Sequence, residues 1–246
     1  MDIGYALLLG AIQGLTEFLP ISSSGHLVLA KKFFPEMSYP GVWFEVILHL
    51  GTLVAVFIYF RKKILKLNLK WVVLLLIGSI PAGFAGIFFR EVLEETFFRF
   101  GIFLGIQFLI TSAICFIVDK LKKKNKVINM TDAFLIGLGQ AVAILPAISR
   151  SGSTIFVAVL RGIDKRKAAE FSFLLSIPAI VGANLVEVLN YKENIRAFDL
   201  SYLIGFLTAF VVGFFSIGWT INLLTKKKFG VFGIYTFILA ILTIVF

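Results

Sequence analysis

Charge is scarce in this sequence. Only 15% of its 246 residues are Asp, Glu, Lys or Arg, where a soluble domain carries roughly 25%. Acidic charge is the rarer kind, 14 Asp and Glu against 24 Lys and Arg, which leaves a formal net charge of +10. Cysteine is nearly missing as well. Cys115 stands alone in an apolar stretch, which excludes an intrachain disulfide and a cysteine metal site. No basic segment precedes the first apolar run, and Asp2 opens the chain, so no cleavable signal peptide is expected. What is abundant is apolar surface: 59% of residues, 28 of them Phe, with a mean hydropathy of +0.97. A soluble fold has too little interior to hide that much, so the bilayer is the solvent, with the Phe-rich helices facing lipid or packed in the core. The positive charge raises nucleic acid as a partner, but the bases lie in short clusters between apolar runs. That is the pattern of cytoplasmic membrane loops, and nucleic acid is excluded.

A spanning helix needs about 20 mostly apolar residues. Six segments approach that test: 42–60, 71–89, 100–118, 168–190, 200–224 and 229–246. Residues 3–30 are interrupted by Pro20 and Ser22-Ser23-Ser24-Gly25-His26, and residues 132–158 by Pro146 and Ser149-Arg150-Ser151-Gly152-Ser153. Each reads as two half-length helices joined by a polar turn. Such backbone persists at membrane depth only where protein buries it or where it lines a wet cavity. Both are therefore read as re-entrant hairpins.

The two interrupted regions are copies. At an offset of 127 residues, Ala6/Ala133, Leu8/Leu135, Gly10/Gly137, Gln13/Gln140, Ile21/Ile148, Ser22/Ser149, Ser24/Ser151 and Gly25/Gly152 are identical, and Phe44/Phe171 and Leu48/Leu175 keep the offset. Such a fixed-offset match marks an internal repeat. The expected architecture is all-α and polytopic: one transmembrane domain over 1–246, with repeat one about 3–118 and repeat two about 130–246. Each repeat is a re-entrant hairpin followed by three spanning helices. Three is odd, so the second repeat starts on the opposite side and the repeats are inverted. The loops near 61–70, 119–131, 161–167 and 224–228 hold seventeen of the 24 Lys and Arg, whereas 31–41, 90–99 and 191–199 hold six. By the positive-inside rule the first set is cytoplasmic. Both termini then lie outside, and the hairpins enter from opposite faces with their tips near mid-membrane.

The twenty-fourth base is Arg150, at the second tip. A charge at membrane depth is costly and marks function, and the planar guanidinium fork matches phosphate. Ser149, Ser151, Ser153 and Thr154 surround it with hydroxyls and cap a half-helix whose N–H groups favour an anion. In the first hairpin Gln13 and Glu17 share a helix face, and Ser22, Ser23, Ser24 and His26 follow at the turn. At the repeat offset Glu17 stands opposite Ile144 and Ser23 opposite Arg150. One copy supplies an acid and the other a base, which suits a site with an acidic side for metal and proton transfer and a basic side for phosphate. Glu45 and His49, four apart at the outer end of the first spanning helix, can face the same cavity, and a helix-pair interaction is favoured over catalysis for them. Glu187 reads as interfacial, and Asn184 and Gln107 as bonds between helices.

Gln13-Gly-Leu-Thr-Glu17-Phe-Leu-Pro20-Ile-Ser22-Ser23-Ser24-Gly25-His26 and Pro146-Ala147-Ile148-Ser149-Arg150-Ser151-Gly152-Ser153-Thr154 resemble the two signatures of the undecaprenyl-pyrophosphate phosphatase family, also called bacitracin-resistance proteins. The resemblance covers essentially the whole chain. Gln13 takes the first acidic position of the family's E/Q-x-x-x-E pattern, and Ala147 replaces the Gly usual after Pro. The resemblance implies a bacterial inner-membrane hydrolase that converts undecaprenyl pyrophosphate to the monophosphate carrier of cell-wall synthesis. It also implies a divalent cation, magnesium or calcium, and a site open to the outer face.

The expected roles follow. Arg150 clamps the pyrophosphate, with Ser22, Ser24, Ser149, Ser151 and Thr154 binding substrate. Glu17 with Gln13 holds the metal. Ser23 is the nucleophile, and Glu17 or His26 takes the proton. Direct attack by water, with Ser23 only binding phosphate, stays open, as does a homodimer. The competing class is a transporter or flippase of a phosphorylated lipid carrier, because inverted repeats and broken helices also build anion transporters. Transport needs Arg150 and hydroxyls, but not the Glu17, Ser23, His26 set.

Overall fold

A computed structural model describes residues 2–33, 42–89, 101–122, 125–190 and 199–245. Both terminal residues, Arg90, Arg99, Lys123, Lys124, Lys192 and Arg196 of the charge count, and the connections 34–41, 90–100 and 191–198 lie outside the described residues. Among the described residues every regular element is helical: α1 (Ile3–Phe18), α2 (Ser23–Phe33), α3 (Val42–Tyr59), α4 (Arg61–Ile64), α5 (Leu69–Phe88), α6 (Ile102–Lys120), α7 (Met130–Val142), α8 (Arg150–Leu160), α9 (Lys165–Asn190), α10 (Leu200–Thr225) and α11 (Gly230–Val245).

Four of these are long and apolar enough to cross a membrane: α5, α6, α9 and α10. The expected spans 42–60 and 229–246 correspond to α3 and α11, whose apolar described stretches are shorter. Many of the exposed side chains are large and apolar, among them Leu76, Ile80 and Phe84 on α5 and Phe215 and Trp219 on α10. A polytopic membrane protein presents such a surface to lipid.

Both interrupted segments break where the sequence places its prolines. The N–H of Leu19 still bonds the Leu15 carbonyl. Pro20 then has no N–H to continue the ladder, and Ser22 turns into the left-handed region at φ 67°. For a residue with a Cβ that conformation costs roughly 1–2 kcal/mol, so contacts elsewhere must hold it. In the second segment α7 stops at Val142, and the chain turns through 143–148 before Ser149 caps α8. Asn129 and Asp132 form a capping box at the start of α7, which fixes that end of the segment.

The helices pair reciprocally. α1 packs along α10, and α7 packs along α5. The contacts occur at positions related by the 127-residue offset. A Cβ on Gly10 would lie 2.7 Å from the Gly205 carbonyl oxygen, and one on Gly137 would lie 2.4 Å from that of Gly78. Leu48 closes on Gly205 as Leu175 closes on Gly78. Small residues let membrane helices approach this closely, because packing rather than water drives their association. Gly137→Leu is therefore expected to destabilise the protein by about 1–3 kcal/mol, read as a lower melting temperature in detergent. Gly83→Ala, where no described atom lies within 4 Å of an added Cβ, should hold or raise that temperature.

One end of the bundle is knitted by charge. Lys63 pairs with Glu170, Lys126 and Arg161 share the buried Asp132 at 2.6 and 2.9 Å, and Lys165 lies 3.7 Å from Asp119. Asp119 also accepts the N–H of Gly230 at 2.7 Å. The basic turns that the charge count puts on one side thus meet at one end of the molecule.

Candidate active site

The two broken segments touch at their turns. Ser22 and Ser24 donate their hydroxyls to the Pro146 carbonyl, Ser24 at 2.9 Å, and Ser151 donates in return to the Leu19 carbonyl at 3.2 Å. The same reciprocity governs the closest approach: a Cβ on Gly25 would sit 3.1 Å from Ala147 Cα, and one on Gly152 would sit 3.2 Å from Pro20 Cβ. Ser22 Oγ accepts the Gly25 N–H, and Ser149 Oγ accepts the Gly152 N–H. Two capped half-helix N-termini, of α2 and α8, therefore converge. Such ends favour anions through their N–H groups and dipole.

Between them lies a small polar cavity lined by Thr16, Glu17, Ser22, Ser23, Ser24, Ser149 and Arg150. Glu17 is its hub. One carboxylate oxygen pairs with the Arg150 guanidinium, and the other accepts bonds from Gln13 Nε2 and Ser23 Oγ, each at 3.2 Å. Arg150 also donates to the Ser172 carbonyl at 3.3 Å. Glu17 is 9% exposed, so this ion pair works in a low dielectric, where an uncompensated partner would be costly. A wider cavity of about 270 Å³ continues from Glu17 and Arg150 past His49, Glu45, Asn184 and Glu187.

The second turn is held from α6. Gln107 Oε1 accepts the Ala147 N–H at 2.9 Å, and Thr111 donates to the Ala147 carbonyl at 2.7 Å while accepting the Ser149 N–H at 3.1 Å. Ala147 is not among the positive-φ residues, so this turn needs no glycine there.

Of the residues expected at the site, Gln13, Glu17, Ser22, Ser23, Ser24, Ser149 and Arg150 gather around this ion pair. Ser151 and Thr154 turn inward. Ser151 Oγ shares a bond with Ser149 Oγ at 3.2 Å, and Thr154 donates to the Arg150 carbonyl at 2.8 Å and meets Ser172 Oγ at 2.6 Å. Both shape the α8 N-terminus and do not line the cavity. His26 faces the other way. Its ring stacks on Tyr235 with centroids 5.6 Å apart, meets Phe108 edge-on, and bonds Tyr235 OH at 2.7 Å through Nε2. Its Nδ1 lies 2.6 Å from the Ser22 carbonyl oxygen, which accepts, so Nδ1 carries the proton. His26 thereby braces the strained Ser22 turn.

The i, i+4 spacing of Glu45 and His49 lets them face one cavity, and both line the wider one; Asn184 and Glu187, read only as a helix-helix bond and an interfacial group, line it as well. Their i, i+4 and i, i+3 spacings inside apolar helices were the available signal. Thr111 and Gln107 share that spacing. Ser172 offers no such signal, because its backbone carbonyl is what meets Arg150. Gln140, the offset partner of Gln13, has both amide atoms buried without a partner among the described residues, since Ile144 stands where Glu17 stands in the first copy.

The family description Bacitracin resistance protein BacA matches residues 6–242. An undecaprenyl-diphosphatase of Christiangramia forsetii is 40% identical, covering 100% of this chain and 98% of that protein. One of Carboxydothermus hydrogenoformans is 41% identical over 100% of this chain and 97% of its own length. Undecaprenyl-diphosphatase 4 of Bacillus cereus is 44% identical, with 96% and 94% covered.

Proposed function

The chain belongs to the bacitracin resistance protein BacA family, and from that premise we propose that it hydrolyses undecaprenyl pyrophosphate to undecaprenyl phosphate and inorganic phosphate, returning the lipid carrier to cell-wall synthesis. The observation that carries the residue roles is the Glu17 hub, which brings Arg150 from one broken segment and Ser23 from the other onto a single carboxylate.

In this reading the incoming diphosphate takes over Arg150 from Glu17. The guanidinium fork then holds phosphate oxygens, helped by Ser149 and the two helix N-termini. Phosphoryl transfer needs positioning and charge neutralisation more than elaborate covalent machinery. Ser23 Oγ forms a bond to the terminal phosphorus while the bond from that phosphorus to the bridging oxygen breaks. The Ser23 proton passes to Glu17, which its hydroxyl already faces. Polyprenyl phosphate leaves, and water then hydrolyses the phosphoseryl group to free phosphate.

A divalent cation, magnesium or calcium, belongs to this reading. Among the described residues no three His, Cys, Asp or Glu cluster as a metal cage. The oxygens of Glu17, Gln13 and Ser23 are hard donors with one carboxylate, which suits an ion whose shell is completed by substrate phosphates. When bound, it would neutralise charge on the diphosphate.

The placement is likewise a proposal: a bacterial inner membrane, six spanning helices with two re-entrant hairpins, both termini and the site toward the outer face. Its supports are the reciprocal packing at the 127-residue offset and the one-sided distribution of basic loops. Detergent-solubilised protein is expected to release phosphate from a short-chain isoprenyl pyrophosphate when magnesium is present. No release with any divalent cation would sink the phosphatase reading.

A further inference from the structure

The substrate of the proposed reaction carries a polyprenyl tail far larger than the roughly 270 Å³ cavity beside Glu17 and Arg150. The head group must reach that cavity while the tail stays in hydrocarbon, so the tail has to pass between two helices. The described seams differ in how tightly they close. α1 against α10 and α5 against α7 close tightly at glycines, where an added Cβ on Gly10 or Gly137 would lie 2.7 or 2.4 Å from the facing carbonyl oxygen. An apolar groove lined by Ile47, Leu203 and Phe206 is larger, about 490 Å³, but it shares no lining residue with the polar cavity.

The seam between α3 and α9 is different. Just past the basic end of α3 the chain is tied to α9 by the Lys63–Glu170 ion pair from α4 and by Phe60 against Phe173. Toward the other end, α3 and α9 are bridged by Asn184 Nδ2 to the Val46 carbonyl at 3.5 Å, a long bond near the limit of the interaction. Here Val46, Ala179, Ile180 and Ala183 line the cavity itself. Ala183 and Gly182 are exposed, no described atom lies within 4 Å of a Cβ built on Gly182, and Leu185 is 56% exposed. Pro178 sits inside α9 just before this stretch. Proline removes a backbone bond, so the loosely packed half of α9 begins where the helix ladder is weakened.

We propose that the seam between the first half of α3 and the part of α9 beyond Pro178 is the lateral port of the site, with a polyprenyl chain as its occupant. Val46, Ala179, Ile180 and Ala183 offer the isoprene units small apolar contacts beside the polar Glu45, His49, Asn184 and Glu187 that take the head-group end, and the seam is continuous with the Glu17–Arg150 cavity. The inference rests on the phosphatase reading and adds where the tail lies.

The test uses full-length protein in lipid vesicles and two substrates, undecaprenyl pyrophosphate and isopentenyl pyrophosphate, the second having almost no tail. Ala183→Trp fills the port. Independently, a Val46→Cys/Asn184→Cys pair closes it on oxidation, with the reduced form of the same protein as the folding control. Cys115 is fully buried and stays out of that chemistry. The ratio of long-chain to short-chain turnover is expected to fall by about tenfold or more, a barrier difference of one decade, in Ala183→Trp and in the oxidised pair, and reduction should restore it. An unchanged ratio in both would overturn the port. No hydrolysis of either substrate by the unmodified protein would overturn the phosphatase reading and the port with it.

Discussion

Arg150→Ala is expected to lower phosphate release by about 10³–10⁵-fold, the range found when a single arginine is removed from a phosphoryl-transfer site. Arg150 opens α8, is held between Glu17 and Ser172, and is the base at the point where the two turns meet. The loss has two sources, and they separate experimentally. Without Arg150 the diphosphate has no planar donor, which is a loss of chemistry. Glu17 is also left buried without its charge partner, which costs about 3–5 kcal/mol of stability when such a pair is broken. A Glu17→Gln/Arg150→Ala double variant should recover much of the melting temperature of the single variant and none of its activity. Arg150→Lys keeps the charge but not the fork, so its activity should lie between wild type and Arg150→Ala. If Arg150→Ala released phosphate at the wild-type rate, the site would be elsewhere.

Ser23→Ala is expected to be almost as damaging to turnover and far milder to the fold. Loss of an attacking group that acts as a unit with its partners costs on the order of 10⁴–10⁶-fold in rate. The hydroxyl makes one bond, to Glu17 at 3.2 Å, and a single hydrogen bond contributes only about 0.5–1.5 kcal/mol net. The melting temperature should therefore change little while phosphate release collapses. Ser24→Ala is the comparison. Ser24 spends its hydroxyl on the Pro146 carbonyl, so its loss should weaken the contact between the two turns and cost less than about tenfold in rate, near one hydrogen bond's worth. Near-normal turnover by Ser23→Ala would make water the attacking group.

Much of this was legible in the sequence, for physical reasons. Pro20 and Pro146 lack the N–H a helix ladder needs and stand beside polar turn residues, and both segments break there, whereas Pro81 and Pro178 are carried inside α5 and α9. Gln13 and Glu17, four apart, share a face and bond each other at 3.2 Å. Arg150 and Glu17 stood out as an opposite pair of charges inside otherwise apolar stretches, and they pair across 133 positions. What stayed hidden depends on tertiary approach. His26 has the right chemistry for proton transfer, but only the fold reveals Tyr235 stacked on its ring. Thr154 and Ser151 carry the right hydroxyls, yet helix geometry points them at carbonyls. The spacing of Glu45 and His49 pointed to a shared cavity, but only the fold shows that Glu17 and Arg150 line it too. The expected span 42–60 matches α3 to within one residue, the helix ending at Tyr59 before the short α4.

The claim that most needs testing is that a nucleophile on the first broken segment attacks a phosphate held by the second. Undecaprenyl pyrophosphate labelled at its terminal phosphorus, mixed with purified protein and quenched in acid within a turnover, tests it directly. The label is expected on Ser23 in the wild-type protein and on no residue in Arg150→Ala. Label on any other side chain, or full turnover with no labelled protein at any time, would contradict this account.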